Sequence, residues 1–325
     1  MPGATTAAMS MAAVALALLT GACAAVTAPD PASPSRIWDV RGEVFIGEAT
    51  LVARLTAVRF RLLGEVHDNP LHHLLRARLL AAIAARGAQP AVVFEQFDLG
   101  QDDALGRAQR EPTSADRLAE AGALDRRAWQ WPLHRPIIEV ALSAHLPIYA
   151  GNATRAMLES VTRKSDLSGL PTAWQARLDG ARWTARQAAV LREDIVEGHC
   201  GKLPDAMIPR LVLAQRVRDA AMAEALLHDA NADGAILIAG NGHARRDLGV
   251  PVYLGEAAGN MVSVGLIEVE SAALHTADAA RTAAMKVSGF DYVWLTPEAP
   301  RDDPCAALAM SSAPTGRTTS LGGTP

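Results

Sequence analysis

Short continuous apolar runs alternate along the chain with longer stretches in which apolar residues recur at helical spacing. Continuous runs are typical of strands buried on both faces of a parallel sheet. Four such runs cover residues 58–64, 91–97, 146–152 and 235–240, and further strands are expected at 252–254, 262–269 and 292–295. Helical spacing predicts helices from about residue 50, at 70–86 and at 135–144, and residues 37–49 predict a hairpin or edge segment. The sequence therefore predicts an α/β fold with a mostly parallel central sheet flanked by helices.

One long helical stretch interrupts this alternation. From about residue 153 to residue 229 the pattern is helical and mostly amphipathic, with a break at residues 198–204. This length exceeds what a simple crossover between parallel strands needs. We therefore expect a large helical insertion that could form a lid. Apolar periodicity is lost after Pro304, so residues 305–325 are expected to form a disordered tail.

The N-terminal segment is typical of a targeting signal rather than of a folded element. An alanine-rich apolar stretch at residues 7–19 leads into Leu19-Thr20-Gly21-Ala22-Cys23. Small residues followed by a cysteine indicate a bacterial lipoprotein signal, although an ordinary secretory signal is the alternative. We expect a signal peptide at residues 1–22, lipidation of Cys23 and a tether rich in proline, alanine and serine at residues 23–36. The protein is thus expected to be exported.

Export makes the remaining cysteines informative. With Cys23 used by the lipid, Cys200 and Cys305 form an even pair in an oxidising compartment. A disulfide between them and two separate thiols both fit the sequence, since a bridge depends on a Cα distance that only the fold sets.

Charge excludes one class of partner. The formal net charge of the 325 residues is -4, and the only lysines are Lys164, Lys202 and Lys286. Arginines are scattered among acidic neighbours and form no basic stripe. Nucleic acid is therefore not expected as a partner.

Polar side chains gather where the predicted parallel strands end. Glu65 and His67 follow the first core strand in the run GEVHDNPLHH, and Asn69 can cap the helix that Pro70 opens. Because parallel strands end at one edge of the sheet, six residues are expected to converge there: Glu65, His67, Glu95, Asn152, Asn241 and His243. Such a cluster could bind a divalent metal, act as general acid and base, or hold a polar ligand. The alternative is structural, with capping of turns and buried ion pairs to arginine.

A second candidate lies before the helix at 135–144. His134 is expected to be exposed in the run WPLHRP, between Trp131 and Arg135. A haem site could use this combination: the imidazole as axial ligand to the iron, the tryptophan as a flat apolar wall and the arginine as a cation for a propionate. His73 is a second candidate ligand, and a surface histidine without function is the alternative.

The order of several segments identifies a family resemblance. The segments are LLGEVHDNPLHH, VVFEQFD, YAGNATR, GHCGKLP, AQRVRDAAMA and LIAGNGHARRDLGVP. They resemble the ChaN-type haem-binding lipoproteins, of the superfamily that includes Tiki proteins, TraB-like proteins and erythromycin esterases. The resemblance runs from about Ile37 to Pro304 and implies an α/β domain over 37–304.

The resemblance also implies a function. It implies an outer-membrane lipoprotein facing the periplasm, with haem as cofactor, a possible homodimer around haem and an outer-membrane haem transport system as partner. Many relatives carry a tyrosine in the loop before the helix that begins near Arg135, where this chain has His134. If that tyrosine ligates haem iron, then either His134 substitutes for it or the site is lost. The residues assigned to haem are His134, His73, Arg135, Trp131, Asn152 and Asn241.

Two functional hypotheses follow. The first is a protein that binds haem reversibly for haem or iron acquisition. The second is a metal-dependent hydrolase of the Tiki or esterase type, with catalytic and metal-binding roles for Glu65, His67, Glu95 and His243.

Overall fold

The computed structural model describes residues 35–181, 183–270, 274, 276–286, 289–303 and 305–306. The predicted signal peptide, Cys23 and most of the tether and tail lie outside these residues. Among the described helices, none has the length and hydrophobicity required to cross a membrane.

In the part of the chain that the structure describes, a mixed sheet of eight strands forms the centre. Its strands are β1 Arg36–Asp39, β2 Val44–Ile46, β3 Phe60–Leu63, β4 Ala91–Asp98, β5 Ile148–Asn152, β6 Ala235–Ile238, β7 Met261–Val269 and β8 Tyr292–Pro297. The spatial order is β2-β1-β8-β7-β3-β6-β4-β5. The six strands β8, β7, β3, β6, β4 and β5 are parallel to one another. The β1–β2 hairpin is antiparallel, and its strand β1 pairs antiparallel with β8 at one side of the sheet. The predicted α/β fold is confirmed.

Helices cover both faces of this sheet. They are α1 Glu48–Thr56, α2 Pro70–Ala84, α3 Asp102–Gln109, α4 Ala115–Ala121, α5 Arg135–Ser143, α6 Arg155–Lys164, α7 Thr172–Gly180, α8 Ala185–Gly198, α9 Ile208–Asp229, α10 Asn241–Ala244 and α11 Ala277–Lys286. One apolar core packs α1 to α5 against the first face, and a second packs α6, α7, α9 and α11 against the other. Strand residues buried on both sides explain the continuous apolar runs in the sequence.

The strand predicted at 252–254 is wrong. Residues Val250–Tyr253 form a 3₁₀ helix instead. Pro251 has a fixed φ and no N–H for a sheet ladder, and the segment closes with a hydrogen bond from Val252 N to Gly249 O at 3.1 Å. A short apolar run next to proline is thus compatible with a helical turn.

The helical stretch after β5 contains two kinds of helix. Helix α9 leads into β6 and buries Val217, Ala220 and Met222 in the core on the second sheet face. It is therefore the crossover helix between β5 and β6. Helices α6 to α8 precede it, and Trp174 and Leu178 of α7 are buried in the same core.

A disulfide fastens the C-terminal segment to this helical layer. Cys200, in the turn between α8 and α9, is bonded to Cys305, with the two Cα atoms 5.6 Å apart. Between β8 and this bridge, Arg301 pairs with Glu268 at the end of β7 and with Asp68 before α2.

Candidate functional site

The loop between β3 and α2 presents the first two side chains of the site. Glu65 and His67 follow the central strand β3, and the loop ends where Asn69 Oδ1 accepts a hydrogen bond of 2.9 Å from Leu71 N. A Cβ at Gly64 would lie 2.5 Å from Asn241 Oδ1. The absence of a side chain at residue 64 thus lets the loops after β3 and β6 come together.

Glu65 is the centre of a buried polar group. Its Oε1 lies 3.0 Å from His67 Nδ1, and its Oε2 lies 2.7 Å from Arg76 Nη2 and 3.1 Å from His73 Nε2. Burial alone would raise the pKa of Glu65, but Arg76, His73 and the hydrogen bond to His67 lower it well below its usual range. Glu65 is therefore ionised at neutral pH.

A second buried group joins β4 to α10, the short helix that follows β6. His243 Nε2 lies 3.2 Å from Glu95 Oε1, and His243 Nδ1 lies 2.6 Å from Asp219 Oδ1 on α9. Burial lowers the pKa of His243, but the two carboxylates more than offset this and raise it to about 10. His243 is thus an imidazolium whose two ring nitrogens are both engaged. It has no lone pair for a metal in this arrangement, which counts against it as a metal ligand.

Glu95 also connects the two loops through the backbone. Its Oε2 accepts a hydrogen bond of 2.8 Å from Gly240 N, and its own carbonyl accepts one of 3.0 Å from Asn152 Nδ2. Burial raises the pKa of Glu95, but His243, His67 and Gly240 N lower it below its usual range. Asn152 therefore holds β5 against β4, and it does not line the cleft described next.

An open cleft of about 620 Å³ lies over these two groups. Its walls include Glu65, His67, Glu95, Trp129, Gln215, Arg218, Asn241 and His243. The side chain of His67 is 49% exposed, and its ring centroid lies 5.2 Å from that of Trp129 in an edge-to-face contact. This volume falls within the range of about 300–1,000 Å³ that is typical of small-molecule sites.

The protonation of His67 follows from its neighbours. The neutral ring places its proton on Nδ1, which donates to the Glu65 carboxylate, and leaves the Nε2 lone pair available. A Cβ at Gly240 would lie 3.0 Å from that Nε2. Burial lowers the pKa of His67, but the hydrogen bond to Glu65 and the charge of Glu95 raise it overall. His67 is the accessible imidazole of the site.

The expectation that His134 is exposed is wrong. Its relative exposure is 0%, because the packing of α5 against α2 places its ring against His73, with 4.4 Å between the centroids. Neither ring nitrogen of His134 has a hydrogen-bond partner. Burial lowers the pKa of His134. His73 is also buried, and burial lowers its pKa to about 4.

Two other residues assigned to haem lie outside the cleft. Trp131 Nε1 donates a hydrogen bond of 2.9 Å to Asp116 Oδ1, and Arg135 Nη2 lies 2.9 Å from Asp116 Oδ2. The Arg135 guanidinium also lies 5.6 Å from the centroid of the Trp131 ring. These contacts stabilise the loop before α5. Asn241 does line the cleft, and its Nδ2 donates a hydrogen bond of 2.7 Å to Leu266 O.

Sequence reasoning missed the helical residues of the site. Arg76 is fully buried on α2, and Asp219 is buried on α9. Leu79 and Leu80 follow Arg76 at helical spacing, and Met222 and Ala223 follow Asp219 in the same way, so each charge falls on the apolar face of its helix. A charged residue in that position requires a partner. That signal could have identified both residues. Gln215 and Arg218 reach the cleft from α9, and Trp129 forms the wall that was expected of Trp131.

Two solved structures and one protein family are similar to this chain. A solved structure of ChaN from Campylobacter jejuni, described by its cofacial haem binding, covers 81% of this chain and 97% of its own, with a TM-score of 0.65 and 19% identity. The type III effector HopBA1 covers 68% of this chain and 82% of its own, with 12% identity and a TM-score of only 0.37. No curated protein matches the chain. The family described as haem-binding uptake, Tiki superfamily, ChaN matches residues 51–254. The chain therefore belongs to the ChaN family of haem-binding uptake proteins in the Tiki superfamily.

Proposed function

We propose that the protein is an exported haem-binding lipoprotein of the outer membrane that faces the periplasm and binds haem reversibly for haem or iron acquisition. Membership of the haem-binding uptake family supports the ligand. The apolar N-terminal stretch that ends at Cys23 supports export and anchoring. An outer-membrane haem transport system is the partner that this role implies.

The half-exposed imidazole of His67 in the cleft carries the proposal. His67 offers Nε2 to a ligand while Nδ1 is held 3.0 Å from Glu65 Oε1. A histidine that ligates metal commonly donates its other ring N–H to a carboxylate in this way, because the contact fixes the tautomer and raises the basicity of the ligating nitrogen. His134 lacks both the exposure and the carboxylate contact. We therefore assign the axial position to His67 in place of His134 or His73.

Other cleft residues fit the remaining parts of a haem. Trp129 provides an apolar wall beside His67, and Arg218 provides a partly exposed guanidinium for a propionate. When bound, the haem supplies an iron that an imidazole can coordinate. The protein orients the imidazole through Glu65 and shields one side of the ligand with Trp129.

A haem titration tests the proposal. The purified protein is expected to bind haem saturably with a shifted Soret band. His67→Ala is expected to weaken binding and alter the band, whereas His228→Ala, at a side chain that is 80% exposed outside the cleft, is expected to change neither. No saturable binding would refute the function, and an unchanged spectrum in His67→Ala would refute the ligand.

The oligomeric state belongs to the same proposal. The ChaN structure from Campylobacter jejuni is described by cofacial haem binding. We extend this to the present chain as a homodimer around haem. Size-exclusion chromatography with and without haem is expected to show conversion from monomer to dimer, and an unchanged elution volume at saturation would contradict the dimer.

The carboxylates around His243 favour a hydrolase as the second candidate. Glu95 and Asp219 hold the His243 imidazolium in the cleft, next to the accessible His67. An imidazolium can donate a proton, and His67 can accept one, which is the arrangement that general acid–base hydrolysis requires. Assays with ester and amide substrates test it: Glu95→Gln is expected to abolish any activity found, and activity retained in that variant would exclude this cluster.

A further inference from the structure

An unsatisfied imidazole marks a second site behind the cleft. His134 is completely buried, and both of its ring nitrogens lack a hydrogen-bond partner. A buried N–H and a buried lone pair are costly when neither is bonded, so most such groups in folded proteins have a partner. The ring therefore indicates a ligand that the protein atoms alone do not provide.

The neighbours of His134 identify the chemistry of that ligand. One donor atom each from Glu65, His73 and His134 lies within 4.8 Å of the other two, and all three residues are buried. Among the described residues, this is the only group of three or more histidine, cysteine, aspartate or glutamate side chains that meets this distance. Two imidazoles and one carboxylate form the ligand set of several zinc enzymes and of non-haem iron sites.

We propose that Glu65, His73 and His134 form a buried site for a divalent transition-metal ion, with Zn²⁺ as the best match. This set differs from the strand-end residues considered for a metal in the sequence, since it shares only Glu65 with them. His67 and His243 take no part, because His67 faces the cleft and both nitrogens of His243 are engaged by carboxylates. The set leaves out His67, the proposed haem ligand, but shares Glu65 with the contact that orients His67.

Metal binding at this site requires His73 to give up its hydrogen bond with Arg76. Its Nη2 donates to His73 Nδ1 at 3.1 Å, so the His73 proton resides on Nε2, which donates to His67 O at 2.9 Å. Coordination through Nε2 moves that proton to Nδ1 and ends the contact with Arg76. The Arg76 guanidinium keeps its ion pair with Glu65, in which Nη2 lies 2.7 Å from Glu65 Oε2. Binding thus exchanges two hydrogen bonds of His73 for a metal bond, without net gain or loss of a proton.

Metal titration of the purified protein, without haem and after removal of metal by chelation, tests this site. We expect one equivalent of Zn²⁺ by elemental analysis, and Co²⁺ is expected to give the visible absorption bands of a low-coordinate site. His134→Phe keeps a flat aromatic ring, somewhat larger than the imidazole, and removes only nitrogens that have no partner, so it is expected to fold. We expect it to weaken zinc binding by more than about 100-fold, since the loss of supporting residues alone costs 10–100-fold.

A matched variant separates this site from the cleft. His67→Ala is expected to retain the zinc, because His67 is not in the ligand set. Stoichiometric zinc in wild type and His67→Ala but not in a folded His134→Phe establishes the site. Loss of zinc in His67→Ala with retention in His134→Phe would overturn the proposal and move the ion to the cleft. Absence of stoichiometric zinc in the wild-type protein would also overturn it, whatever the haem titration shows.

Discussion

His243 Nδ1 lies 2.6 Å from Asp219 Oδ1, and this contact joins α10, the short helix after β6, to the crossover helix α9. Both residues are buried, so the pair is shielded from the solvent that weakens ion pairs at a surface. Glu95 contacts the other ring nitrogen at 3.2 Å. A single imidazolium thus ties β4, β6 and α9 together below the cleft.

This arrangement predicts a loss of stability at alkaline pH. The pKa of His243 is about 10 in the folded protein against an ordinary value of 6.5. The folded state therefore holds a proton that the unfolded state releases above pH 6.5, and the stabilisation is fully present below that pH and lost as the pH rises toward 10. The free energy of unfolding is expected to fall by up to ~1.4 kcal/mol per pH unit in this window.

Urea denaturation at pH 7 and pH 9.5 measures the effect. His243→Gln is expected to be less stable than wild type at pH 7, because Glu95 and Asp219 lose the cation between them. Its stability is also expected to depend less on alkaline pH, since it lacks the titrating group. Equal alkaline slopes for the two proteins would contradict a charged His243.

Gly240→Ala is expected to disturb haem ligation while preserving the fold. The new Cβ would lie 2.9 Å from His67 Cε1 and 3.0 Å from His67 Nε2, so the ring must move away from its position over the cleft. The residue at 240 has a φ of -66°, which alanine adopts without strain. We expect haem affinity to fall at least about tenfold, equivalent to ~1.4 kcal/mol.

Gly242 provides the control for this prediction. It also lines the cleft, but a Cβ there would meet only Gln215 Nε2 at 3.9 Å. Gly242→Ala is expected to bind haem like the wild type. Equal loss of affinity in both variants would show that the position of His67 is not the cause.

The sequence predicted the gathering of strand-end residues because parallel topology alone determines it. Glu65 and His243 come after the neighbouring strands β3 and β6, and Glu95 comes directly after the last residue of β4 that pairs with β6, Phe94. Their convergence therefore needs no knowledge of helix packing. His134 shows the limit of this reasoning. Its burial depends on how α5 packs against α2, and a local pattern of tryptophan, histidine and arginine carries no information about that contact.

The packing of helices explains the other differences between the predicted and the observed site residues. Asp219 reaches His243 because α9 lies over the sheet, whereas the sequence only indicated a long helical stretch there. Trp131 and Arg135 were expected to hold a ligand, but both contact Asp116 of α4, which lies earlier in the chain. Contacts between distant helices decide which of two similar residues, Trp129 or Trp131, faces the cleft.

Cys23→Ala is expected to release the protein from the membrane fraction. The proposed anchor is a lipid on Cys23, and without that cysteine the lipid cannot be attached. Cell fractionation followed by immunoblotting is expected to show wild type with outer membranes and Cys23→Ala in the soluble periplasmic fraction. Cys200→Ser serves as the control, since it removes a cysteine without affecting the lipid. Membrane association retained in Cys23→Ala would contradict lipid anchoring.

Removal of the disulfide is expected to lower stability substantially. Cys200 and Cys305 are separated by 105 residues in sequence, and the bridge restricts the unfolded chain by closing that loop. The chain-entropy model gives about 4.7 kcal/mol for a loop of about 100 residues, and measured losses are about 2–5 kcal/mol. We expect Cys200→Ser with Cys305→Ser to lower the free energy of unfolding by about 2–5 kcal/mol in denaturant titrations. Dithiothreitol is expected to lower the stability of the wild type to a similar value and to leave the double variant unchanged. A double variant as stable as the oxidised wild type would show that the Arg301 contacts with Glu268 and Asp68 are sufficient to hold the segment.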